Sequence, residues 1–369
     1  MNNIFLKTLF LILISLQISN ASQKTFNVTL VSASNDSDYF WNKTHLFAKA
    51  SANDLNIKLE IKMPKETLDR FDYLESLKEV FERKNKPDFV IAKFYDKITI
   101  DILNLSEENN IPIFIINSNI SKNNKKSVGK LRRKFENFIG HIAPNEQQVG
   151  YDLAKYLVKY HREFNPDGRL KVGAIATSKN KIKSKLRLKG LEKAIKEEYR
   201  TKLYKTVYSP SSSQESYMKA SRLIKKYYDL NIIWAETDLI SLGANDAIKD
   251  NELSNQTITG GVGFTSDIIT AVKNKQVKAV IGGSFMDAGF ALVLINDYLL
   301  DNDFYEQYDA KIDSNMFLLT VQNVEQYIKI LDSKNWNKID FKQYSKTYNK
   351  NLDEYNFSIN NLINNLNSY

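Results

Sequence analysis

The sequence predicts two doubly wound α/β lobes, on three observations. Apolar strand-like runs alternate with amphipathic helical stretches from Phe26 onward, and the alternation restarts after a basic loop at 122–134. Ile111-Pro112-Ile113-Phe114-Ile115-Ile116 is continuously apolar, the pattern of a strand buried on both faces of a parallel sheet. The 348 residues that follow Ala21 in this 369-residue chain are too many for one ordinary core, since domains run to about 100–200 residues.

Taken in order, Phe26–Val31 reads as a first strand, followed by a polar loop over 32–38 and a helix from Phe40 to Leu55 with apolar residues at helical spacing. Ile57–Met63 alternates apolar and charged, a strand with one polar face. A helix over Asp69–Lys84, a strand over Pro87–Ala92, a helix over Lys97–Glu108 and the strand at Ile111–Ile116 complete the first set. The second set begins with a short strand at Phe138–Ile142 and a long helix, Glu146–His161, capped by Asn145. Strands follow at Leu170–Ala176, Leu203–Tyr208, Ile232–Ala235, Thr257–Val262 and Ala279–Gly282. Between them lie helices at Lys181–Tyr199, Ser212–Tyr227, Thr237–Ile248 and Ser266–Lys273.

The first 21 residues have the three parts of a secretory signal peptide: Lys7, the apolar run Leu9–Ile18, and small residues in Ser19-Asn20-Ala21. The apolar run falls short of the roughly 20 residues a membrane-spanning helix needs. Everything after Ala21 is therefore expected in the periplasm, soluble once the signal is removed. The chain has no Cys, which excludes a lipid-anchored mature form, disulfides, thiol catalysis and thiolate metal sites. An exported protein of this size has enough core to manage without disulfides. Its net charge of +9 reflects Lys spread through the whole chain, and the densest basic run, Lys122–Lys134, has no aromatics for stacking on bases, so no nucleic-acid partner is expected.

In doubly wound sheets ligands bind beyond the carboxyl ends of the strands. The residues there are Asn35, Asp36, Phe40 and Trp41 after the first strand, Asn117 after Ile116, and Arg187 on the helix that follows Ala176. After the later strands come Thr237 and Asp238, then Phe264 and Thr265, then Ser284 and Phe285. Amides, hydroxyls, carboxylates and a few rings suit a small polyhydroxylated molecule, with rings stacked on its apolar face and polar groups on its hydroxyls. No cofactor and no metal site is expected from this set.

The chain resembles the type I periplasmic binding proteins, the fold of the ribose and galactose binders and of the autoinducer-2 receptor, and within them the sugar-type ABC-transporter substrate-binding proteins. The stretches that carry the resemblance are Asp38-Tyr39-Phe40-Trp41, Phe138-Ile139-Gly140-His141, Asn145–Tyr151, Arg187–Leu191, Ile233–Ala244 and Gly282–Leu292, with a tail that runs from Trp336 through Phe341 to Phe357. Their order and spacing cover 25–362. The resemblance implies a hinged clamp with a sugar-like ligand between the lobes, Arg187 and Asp238 on its oxygens, and Phe40 and Trp41 stacked on its ring. It implies crossings between the lobes near Ile142–Asn145, Gly283–Phe285 and Phe317–Val321. The first lobe is then 22–143 with 285–318, the second 144–284 with 319–335, and 336–369 a tail that packs on a lobe. The partner would be an ABC permease, or alternatively the periplasmic domain of a membrane histidine kinase or chemoreceptor, and the protein a monomer. Two departures point away from an ordinary pentose or hexose: Thr237-Asp238 stands where the family usually has Asn-Asp, and Gly263-Phe264 is followed by Thr265-Ser266-Asp267.

Enzymatic readings find little support. The three His residues, 45, 141 and 161, are far apart, and neither H-E-x-x-H nor G-x-S-x-G occurs. Ser178-Lys179-Asn180-Lys181 fits S-x-x-K, which a Lys-rich chain produces by chance, and no K-T-G accompanies it. Gly260–Gly263 does not continue into a dinucleotide loop, and Asp301-Asn302-Asp303 lacks the turn glycine of a calcium loop.

Overall fold

The computed structural model describes residues 25–66, 68–309 and 311–367. The signal segment read over 1–21 lies outside the described residues. The first lobe begins β1 (Asn27–Val31), α1 (Tyr39–Asp54), β2 (Lys58–Lys62), α2 (Arg70–Glu82), β3 (Phe89–Ala92), α3 (Thr99–Asn109), β4 (Ile113–Ile116), α4 (Lys125–Val128) and β5 (Phe138–Ala143). The second runs α5 (Glu146–Arg162), β6 (Leu170–Ala176), α6 (Ile182–Glu197), β7 (Thr201–Tyr208), α7 (Ser213–Lys226), β8 (Ile232–Ala235), α8 (Asp238–Asp250), β9 (Ile258–Val262), α9 (Ser266–Lys273) and β10 (Ala279–Gly282). The chain then passes through α10 (Asp287–Leu299), α11 (Tyr305–Tyr308), β11 (Lys311–Asp313), β12 (Phe317–Thr320), α12 (Val324–Leu331) and α13 (Ile359–Asn367).

Each lobe holds a six-stranded sheet, in the orders β11-β5-β4-β3-β1-β2 and β12-β10-β9-β8-β6-β7. All pairs are parallel except β12, which runs antiparallel to β10 with Gly282 opposite Phe317. The expected pair of doubly wound lobes is thus present. β3, β4 and β8 are buried at every position, as strands covered by helices on both faces must be.

The chain changes sheets between β5 and α5, between β10 and α10, and between β11 and β12. The last change differs from the expected one. Phe317 and Leu318, placed in the first lobe from sequence, pair with Gly282 and Ile281 of the second sheet, so the crossing is 314–316. The cause is burial: as an edge strand, β12 puts Phe317 and Leu319 into the core, while β11 extends the first sheet beside β5.

The tail packs on α1 and α10. The Trp336 ring stacks on Phe285 at 5.3 Å and meets the edge of Phe47 at the same separation. Phe341 also meets Phe47 edge-on, and Phe357 stacks on Phe290 at 4.4 Å. Buried Asp297 on α10 accepts from the Ser345 hydroxyl, the Lys346 and Thr347 backbone N–H groups, and the Tyr355 hydroxyl.

Candidate functional site

The start of α1, which follows the carboxyl end of β1, reaches across to the second lobe. Asp38 caps this helix by accepting from the Trp41 N–H, which sets the direction of its first turn. The Tyr39 hydroxyl then lies 3.2 Å from Ser266 Oγ of the second lobe. One turn on, Lys43 Nζ donates to the Phe264 carbonyl at 3.2 Å and the Leu331 carbonyl at 3.3 Å, above the rings of Tyr39 and Phe285. Burial pushes the Lys43 ammonium down to about 8, against the attraction of Asp332 and Asp238. Asp238 is itself buried, which raises its carboxyl, although the Thr265 and Leu239 N–H groups donate to it. Tyr39 is raised chiefly by burial.

A second cluster lies at the crossings. α5 and α6 touch so closely that a Cβ on Gly190 would stand 2.0 Å from the Gln147 carbonyl oxygen. That approach seats Arg187 beside Glu146, with Nε 2.6 Å from Oε2 and both side chains buried. Arg187 Nη1 also donates to the Glu236 carbonyl at 2.8 Å. Burial favours the neutral form of Glu146, but the charges of Arg187 and Lys183 outweigh it and hold the carboxyl below the usual glutamate range. The Glu236 carboxylate accepts from the Thr177 N–H at 2.5 Å and from the hydroxyls of Thr177 and Ser184. Asn117, with its amide turned so that nitrogen faces the acceptors, donates to the Ser284 carbonyl and to Asp287 Oδ2. Gly283, at the second crossing, holds φ +137°, and a Cβ there would meet the Asn315 carbonyl oxygen at 2.0 Å.

A third network orders the loop after β1. Buried His45 lies between Ser32 Oγ, 2.8 Å from Nε2, and Asp36 Oδ1, 2.7 Å from Nδ1. The arrangement has the order of a hydrolytic triad, but Ser32 is fully buried and its hydroxyl donates to the Ser34 carbonyl. Here it fixes the loop that carries Asn35 and Asp36.

The structure brings Phe264, Thr265, Asp238 and Phe285 together at the bridge and Asn117 against Ser284 at the second crossing, while Arg187 lies with Glu146 and the Glu236 carbonyl. Other expected residues are placed differently. Trp41 is 7% exposed and packs into the large core cluster edge-on to Phe40, which is 37% exposed. The Thr237 hydroxyl accepts from Ile240 N–H as the α8 cap and lies 2.8 Å from Ser211 Oγ. Asn35 folds its own turn, bonding Ser37 and the Lys65 carbonyl.

Sequence reading passed over Tyr39, Lys43, Lys93, Glu146 and Asp287. For Lys93 the signal was available, since it is the first residue after β3. Among the described residues no group of acids and histidines could hold a metal ion. A cavity of about 610 Å³ lies away from the cleft, between Arg132, Arg133 and the segment from Asp301 to Glu306; its Arg132 and Asp303 pair with each other.

Comparison with known proteins agrees with this architecture. The family model for the periplasmic binding protein domain matches residues 28–303. No curated protein sequence matches the chain. A periplasmic sugar-binding protein from Pseudomonas fluorescens superposes with a TM-score of 0.79 at 23% identity, over 92% of this chain and 99% of that one. A solute-binding protein of an ABC transporter from Actinobacillus succinogenes, with bound D-allose, gives 0.68 at 15% identity, over 83% and 100%. One from Bacillus halodurans, with bound myo-inositol, gives 0.65 at 16% identity, over 84% and 98%. At these identities the structural likeness speaks for the fold, and the family match speaks for descent. With its two parallel sheets, three crossings and matched domain, the chain belongs to the type I periplasmic binding proteins.

Proposed function

We propose that this protein is a periplasmic solute receptor that closes its two lobes on a small, polar, sugar-like ligand and hands it to an ABC-transporter permease. The observation that carries the reading is the contact between lobes at α1, where Tyr39 and Lys43 meet Ser266 and Phe264. Polar groups from both lobes converge there, and a ligand that touches both would stabilise the closed form over the open one. Asp238, Thr265, Phe40 and the unused donors of Arg187 are the groups to meet hydroxyls and a ring face. The structural neighbours with bound allose and myo-inositol support a polyhydroxylated ligand. No catalytic step is assigned, and the buried Ser32–His45–Asp36 array is given a structural role.

The test is a thermal-shift screen of sugars and polyols against the purified protein. A ligand at 100 times its dissociation constant adds about 2.7 kcal/mol, an easily read rise. Stabilisation without chemical change of the ligand, followed by ligand-dependent uptake in vesicles carrying the cognate permease, would support the reading. A folded protein that binds no member of the panel would overturn it, and turnover of a sugar would make it an enzyme. Binding with no effect on uptake would favour docking on a sensor kinase instead.

A further inference from the structure

The observations carry one step beyond a generic sugar receptor, and that step rests on the receptor reading. We propose that the ligand bears an anionic group, a carboxylate or a phosphate, held between Lys93 of the first lobe and Lys181 and Lys183 of the second.

Lys93 follows β3 directly, at the carboxyl edge of the first sheet where ligands of such folds lie. Its ammonium sits 4.5 Å from the centre of the Tyr95 ring, and among the described residues no carboxylate pairs with it. Lys181 and Lys183 stand at the start of α6, at the matching edge of the second sheet, and no side chain caps that helix start. Lys183 pairs with Glu146 Oε1 at 3.4 Å, while Arg187 holds Oε2 of the same carboxylate at 2.6 Å, so two cations share one acid. Glu236 of the second lobe accepts from Thr177 and Ser184 and forms no ion pair with any of the three lysines. Among the described residues Lys93 and Lys181 therefore have no ion-pair partner, and Lys183 shares the single charge of Glu146 with Arg187.

Their mutual effect is visible on Lys93. Burial and the like charges of Lys183 and Lys181 push its ammonium down to about 8, with only Asp38 acting the other way. Tyr95 and Tyr73 are the remaining titratable groups packed beside it. Like charges on the two lobes oppose closure of the empty clamp. An anion placed between them reverses the sign of that interaction, so its binding and closure support each other. A neutral polyol offers hydroxyls but no such reversal.

The test compares matched ligands on the full protein by titration calorimetry: glucose against glucuronate and glucose 6-phosphate, and ribose against ribose 5-phosphate. The expected result is that an anionic member binds at least tenfold tighter than its neutral parent, the uronate and phosphate arms showing which anion fits. The preference should shrink in high salt, vanish in Lys93→Met and return in Lys93→Arg, which separates loss of charge from loss of fold. Equal or tighter binding of the neutral parents overturns this inference and leaves the receptor reading intact. Failure of every neutral and anionic sugar to bind overturns both.

Discussion

Ser314 Oγ donates to Asp287 Oδ2 at 2.5 Å, joining the third crossing between the lobes to the residue that opens α10 after the second. Asp287 is fully buried, and burial raises its carboxyl well above the ordinary aspartate range; Ser314 and the Asn117 backbone act in the other direction. A group whose folded pKa is raised favours the folded state while protonated, and that contribution fades as pH rises above the unfolded value. Asp287→Asn, which keeps the shape without the proton, should match the wild type near pH 4. It should then gain in relative melting temperature as pH rises toward 7. Asp287→Ala should instead cost about 1–3 kcal/mol at every pH, because Ser314 and Asn117 lose a buried acceptor. Parallel thermal melts across that range decide between them.

Arg187 and Glu146 form a buried ion pair, so removing one partner strands the other. Arg187→Ala should cost about 3–5 kcal/mol in chemical denaturation. Glu146→Gln should cost less, since Arg187 keeps the Glu236 carbonyl. Glu146 is held below the usual glutamate range, so its contribution is present above about pH 4.5 and lost as pH falls further. Loss of ligand binding in Arg187→Ala therefore counts for a direct ligand contact only if the variant proves folded by circular dichroism.

Lys43 should give the pH profile a rising limb. A Lys depressed to about 8 binds its proton less tightly in the folded than in the unfolded protein, so stability rises between about pH 8 and 10. Lys93 contributes in the same direction. Urea midpoints measured through this interval should climb in the wild type and climb less in Lys43→Met.

Gly283 is the most constrained point of the crossings. Alanine there would combine φ +137° with a 2.0 Å clash against Asn315, so Gly283→Ala should lose at least about 2 kcal/mol. A melting temperature within a degree of the wild type would show that the crossing relaxes freely.

Trp336 fills the space between Phe47 and Phe285 and donates its indole N–H to the Ile330 carbonyl. Trp336→Ala should cost about 3–5 kcal/mol, read in the same denaturation assay.

Much of the fold was legible because the inner strands are apolar throughout. β6, β8 and β10, and helix α9, begin and end where the sequence placed them. β11 was not legible: it has three residues, two of them exposed charges, and it becomes a strand only because β5 offers an edge. β12 was hidden because it adds antiparallel at the edge of the second sheet, outside the strand–helix alternation that marks the other strands. At the site, residues following strands were readable, and Asp238 and Phe264 sit where that rule puts them. The Glu146–Arg187 pair spans 41 positions and depends on two helices packing through Gly190, which no local pattern reveals. An aromatic beside a loop, such as Trp41, reads the same from sequence whether it faces ligand or core.

The tail grips the very helix that bridges the lobes. Phe47, pressed by Trp336 and Phe341, lies one turn beyond Lys43 on α1, and Lys342 N–H bonds Asp54 at the far end of that helix. The C-terminal segment is thus a splint on the helix that touches both lobes, and under the proposed closure it would feel the motion. Protection of its amides from solvent exchange should report whether the clamp is empty or full, although no tail residue needs to touch the ligand.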